Sequence, residues 1–124
     1  MKRNLLLSSL TLFALATILA MQIGCATTPN DCLIDAIRYQ AELPAGTWSK
    51  ILCIDFIKSG YSYRHYVLAF EFSDKVYLQD SDGSTNSGLR RSGATPEALA
   101  NMFYWLRKWT PDMKITRAFF VEKE

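Results

Sequence analysis

Tyr61-Ser62-Tyr63-Arg64-His65-Tyr66-Val67-Leu68-Ala69-Phe70-Glu71-Phe72, then Ser73-Asp74, then Lys75-Val76-Tyr77-Leu78-Gln79-Asp80: this stretch decides the fold. Its two arms are rich in aromatic and β-branched residues, which suit a pleated, half-buried surface, and a polar pair separates them. The pattern predicts two antiparallel strands, 61–72 and 75–80, joined by a tight turn at Ser73-Asp74. If Phe72 pairs with Lys75, then Val67 faces Asp80 and His65 faces Asp82. Side chains alternate along a strand, so His65 and Val67 share a face and Asp80 becomes a diagonal neighbour of His65. A two- or four-residue turn keeps that parity, whereas a three-residue turn sends the two groups to opposite faces.

Upstream, Ser59-Gly60 is a break, and Ile51 to Ile57 reads as a largely buried strand. Before it, Asn30 and Asp31 are good caps for a helix from Cys32 to Glu42, with Leu33, Ile34, Ile37 and Ala41 as its apolar face. Downstream, Asp80 to Gly93 reads as a long polar surface loop. Thr95-Pro96-Glu97 then opens a second helix with a capping threonine, a proline in the first turn and an acid near the positive helix end. Leu99, Met102, Phe103 and Leu106 form its stripe, widened by Trp105 and Trp109. Pro111 stops it, and Met113 to Val121 reads as a closing strand. This order predicts an α+β fold, an antiparallel sheet with helices packed on it.

The chain's first segment reads as an address. Met1-Lys2-Arg3-Asn4 is basic, and Leu5 to Ala20 is almost wholly apolar, as in a secretory signal. Continued through Ile23, the run also approaches the length of a membrane-crossing helix. Gln22-Ile23-Gly24-Cys25 resembles the box cut by lipoprotein signal peptidase, which leaves the cysteine as a lipidated N-terminus. That resemblance implies a signal at residues 1–24, lipid on Cys25, a tether over 25–30 and one domain over 31–124. It also implies attachment to the bacterial cell envelope, by default the outer membrane facing the periplasm.

Of the 14 basic residues, Lys2 and Arg3 fall in that signal, so 12 are left against 12 acidic ones. A neutral domain makes no electrostatic case for nucleic acid as a partner. No spacing of cysteine and histidine fits zinc, and Asp80-Ser81-Asp82-Gly83 lacks the further ligands of a calcium loop, so no cofactor or metal is expected.

The chemistry-bearing candidates are Cys32, His65 and Asp80. A cysteine in the first turn of a helix sits where backbone N–H groups and the helix dipole favour the nucleophilic thiolate. His65 is the only histidine, so any cysteine–histidine pair must use it. Asp80 could hold the imidazole's tautomer, and Asp82 is its rival for that role. Cys32 has two other readings: a disulfide with Cys53 and an inert buried thiol. Cys53, between Leu52 and Ile54, reads as a core residue.

Asn30-Asp31-Cys32 opening a helix, His65-Tyr66-Val67-Leu68-Ala69-Phe70 on a strand and Val76-Tyr77-Leu78-Gln79-Asp80 on the next resemble the papain-like superfamily. The pattern is most similar to small bacterial transglutaminase-like and bacteriocin-processing peptidases. Over residues 30–82, the resemblance implies a minimal papain-like architecture. It assigns Cys32 as nucleophile, His65 as base and later acid, and Asp80 as the orienting carboxylate. The implied partner is a peptide or protein substrate cut at a peptide or amide bond, or acylated onto another acceptor. The family's glutamine upstream of the cysteine, an oxyanion donor, is missing from residues 26–31. A non-catalytic envelope lipoprotein on the same scaffold, binding a peptide or partner, is therefore the alternative.

Overall fold

The computed structural model describes residues 29–122. The expected signal at 1–24 and the expected lipidated Cys25 lie outside them. The described chain runs α1 (Pro29–Glu42), β1 (Ser49–Lys58), β2 (Tyr61–Phe72), β3 (Lys75–Asp80), β4 (Gly83–Asn86), a single 3-10 turn (Arg91–Gly93), α2 (Pro96–Leu106) and β5 (Met113–Phe120). The strands form one antiparallel sheet in the order β4-β3-β2-β1-β5.

The hairpin adopts the expected register, with Phe72 opposite Lys75 and Leu68 opposite Gln79. Ser73 and Asp74 both take positive φ, 53° and 70°, which gives a two-residue turn the twist that matches its strands. Ser59 and Gly60 do the same at 53° and 82°, so the break before β2 is itself a two-residue hairpin.

Alternation sorts the strands onto two cores. On one face Leu52, Ile54, Val67, Ala69, Val76 and Leu78 pack under Leu99, Ala100 and Phe103 of α2. On the other, Ile51 and Leu68 meet Ala36 of α1, flanked by Leu33, Tyr39, Leu43, Tyr66 and Phe70. The sheet is therefore covered on both sides, each helix lending one narrow stripe.

Four details differ from the sequence reading. First, α1 begins at Pro29, so Asn30 and Asp31 lie inside the helix instead of capping it. A proline is well suited to a first helical position, because its missing N–H has no intrahelical partner to lose there. Second, the buried face of α1 centres on Leu33, Ala36 and Tyr39, leaving Ile34 58% and Ile37 51% exposed. Third, on α2 Ala100 is buried while Trp105 is 73% exposed. Fourth, the supposed loop after Asp80 contains β4, which returns to pair with β3. The Thr95 cap is as expected: the Ala98 backbone N–H donates to Thr95 Oγ1 at 3.1 Å.

Candidate active site

His65 is placed by strand parity. It shares the face of Val67 and Ala69, and its ring lies 5.4 Å from that of Phe103 and 6.2 Å from that of Trp109. Trp109 reaches this position because Lys108, at positive φ (52°), turns the chain back at the end of α2. The β2–β3 ladder ends at Leu68–Gln79, so β2 continues past it towards His65 with no β3 partner in register. Through that gap the start of α1 meets the imidazole, although α1 itself packs on the opposite face. Cys32 Sγ lies 3.7 Å from His65 Nδ1.

On the far side of the ring, Asp80 Oδ2 stands 3.7 Å from His65 Nε2. That separation is too long for a direct hydrogen bond and short enough for electrostatic attraction to an imidazolium. The residues suggested by the sequence therefore come together in one line, Cys32–His65–Asp80. Asp82 does not displace Asp80: its backbone N–H donates to Asp80 Oδ1 at 2.9 Å, so it braces the carboxylate.

Arg107 is the residue the sequence did not single out. It directly follows α2, and its Nη2 donates to Asp80 Oδ1 at 2.8 Å and to the Gly83 carbonyl at 2.9 Å. Its guanidinium lies over the Phe103 ring at 5.5 Å, and its buried Nε has no hydrogen-bond partner among the described residues. The arginine fixes which carboxylate oxygen faces the histidine, and it also competes for the charge that would stabilise an imidazolium. No local signal marks it, because its partner is 27 positions away.

These groups line a cleft of about 440 Å³. Asp31, Asp35, Lys58, Gln79, Lys108 and Trp109 line it with them. Among the described residues, no three histidine, cysteine, aspartate or glutamate side chains gather as metal ligands.

The bridge between Cys32 and Cys53 is absent, because Cys53 is a free, fully buried thiol on β1. Burial pushes that thiol up to about 11, with the neighbouring Asp55 carboxylate adding to the rise and Arg64 opposing it.

No helix of the described residues is long and apolar enough to cross a membrane. Comparison with known proteins found no matching family model, no matching curated protein and no matching solved structure.

Proposed function

We propose that the protein is a lipid-anchored envelope hydrolase or acyl transferase that acts on a peptide or amide bond through Cys32, His65 and Asp80. The observation that carries this reading is the approach of Cys32 Sγ to His65 Nδ1 at 3.7 Å in a solvent-reachable cleft, with Asp80 on the ring's other nitrogen. In the reduced protein, His65 takes the thiol proton and the sulfur adds to the carbonyl carbon. The tetrahedral adduct collapses as His65 protonates the departing amine, leaving a thioester on Cys32. Water or a second amine, deprotonated by His65, then attacks the thioester and releases the acyl group. Lipid on Cys25 would hold this cleft at the outer membrane facing the periplasm, with a peptide or protein as the substrate and no nucleic acid partner.

A second reading, a non-catalytic partner-binding lipoprotein, draws on the engagement of Asp80 by Arg107. Trapping separates them. The reduced protein, freed of reductant, is mixed with p-nitrophenyl acetate and digested for mass spectrometry. The hydrolase reading expects a thioester on Cys32 that forms with nitrophenolate release and then decays. A wild-type protein whose Cys32 stays unacylated while its thiol is demonstrably reduced contradicts it.

A further inference from the structure

Acylation of a thiol puts negative charge on the former carbonyl oxygen, and rapid reaction needs fixed hydrogen-bond donors where that charge appears. The first turn of α1 can offer backbone N–H groups, but no glutamine stands in residues 26–31, just before Cys32, where Asn30 is the one carboxamide. The cleft itself offers several side-chain donors, and the sheet's two-sidedness sorts them. Lys58 shares its face with Leu52, Ile54 and Phe56, on the His65 side. Trp109 is wedged, tilted or edge-on, among the rings of Phe56, Phe103 and His65. Arg107 already serves Asp80 and Gly83.

On the Cys32 side the choice is narrow. Tyr66 packs against the Ala36, Ile51 and Leu68 cluster under α1. Tyr39 comes seven residues after Cys32 on α1, about 10 Å along the helix axis. Gln79 remains. On β3 the buried residues Val76, Leu78 and Asp80 face α2, so Gln79 faces α1. It pairs with Leu68, which carries Ala36, one turn after Cys32. Its half-buried side chain lines the cleft together with Cys32.

We propose that Gln79 is the oxyanion donor of the site, its carboxamide N–H₂ donating to the substrate oxygen as Cys32 Sγ bonds to the carbonyl carbon. This rests on the hydrolase reading of Cys32 and His65. It places the donor one residue before the orienting carboxylate, so a single strand end would supply two groups from opposite faces of the sheet.

The test compares two reactions of the same sulfur in the reduced full-length protein, in wild type, Gln79→Ala and Gln79→Glu. Acylation by p-nitrophenyl acetate passes through an oxyanion: sulfur bonds to the carbonyl carbon, the π pair moves to oxygen, and its return expels p-nitrophenolate. Alkylation by iodoacetamide displaces iodide at a saturated carbon and forms no oxyanion. The inference expects acylation to fall about a hundredfold in both variants, with alkylation essentially unchanged. Glutamate matters because it keeps the shape and cannot donate as a carboxylate. Acylation retained in Gln79→Glu overturns the inference, as does a parallel loss of acylation and alkylation. Wild-type protein that alkylates at Cys32 but never acylates instead removes the hydrolase reading beneath it.

Discussion

Cys32 and Cys53 are the same side chain in two regions of one small fold, and the surroundings give them opposite chemistry. Cys53 sits mid-strand on β1, fully buried between Leu52 and Ile54, with its thiol donating towards Asp55 Oδ1 at 3.8 Å. Cys32 sits in the first turn of α1, at the rim of a cleft and beside the only imidazole. One thiol is held protonated by desolvation and a neighbouring carboxylate. The other has a proton acceptor at hand and a helix N-terminus behind it. What separates a packing cysteine from a candidate nucleophile is the open sheet edge beside His65, where β3 turns away.

The largest expected effect in that contrast is on reactivity. A thiol raised to about 11 from an ordinary value of 9.0 carries, at neutral pH, about a hundredth of the usual thiolate. Cys53 must in addition wait for the sheet to open. In the reduced protein Cys32 should therefore alkylate faster than Cys53 by on the order of a thousandfold. The gap should close in denaturant. Site-resolved mass spectrometry after timed iodoacetamide exposure measures it, and comparable rates in the folded protein would erase the comparison.

A smaller effect concerns what holds the inert side in place. Arg64 Nε donates to Asp55 Oδ1 at 2.6 Å, and this bond, with the guanidinium's charge, holds the Asp55 carboxyl below its usual range. A carboxyl whose value is lower in the folded than in the unfolded state binds protons more weakly when folded. It therefore adds stability above the unfolded value near 3.8, and that stability is lost as pH falls through the lower, folded value. Urea unfolding followed from neutral to acid pH should show this loss in wild type and a shallower slope in Asp55→Asn. The effect should be modest, because the Arg64 side chain is 44% exposed and the pair is screened by solvent. Identical slopes in the two proteins would remove Asp55 from the account.

Much of this arrangement was legible in the sequence, for reasons that particular residues make plain. The period-two patterns of 61–72 and 75–80 and the Ser73-Asp74 pair fix register locally, and register alone carries Asp80 to the His65 face. The Thr95 cap is equally local. The buried stripe of α1 was not legible, because Leu33-Ile34 and Ile37 permit two apolar faces and only the sheet beneath selects Ala36. Strand β4 was hidden because Gly83-Ser84-Thr85-Asn86 buries little and is held by pairing with β3. Arg107 was missed because its importance comes from a contact with Asp80 on a distant strand, which no spacing along the chain encodes.

The account stands on the Cys32 sulfur and the His65 ring acting as one unit. The direct measurement is the ultraviolet absorbance of thiolate against pH in the reduced protein, with a Cys32→Ser sample subtracted, repeated in His65→Ala. A thiolate on Cys32 already present near neutral pH, and lost there when the imidazole is removed, is the predicted result. A Cys32 titration at the ordinary thiol value, unmoved by His65→Ala, would contradict the account.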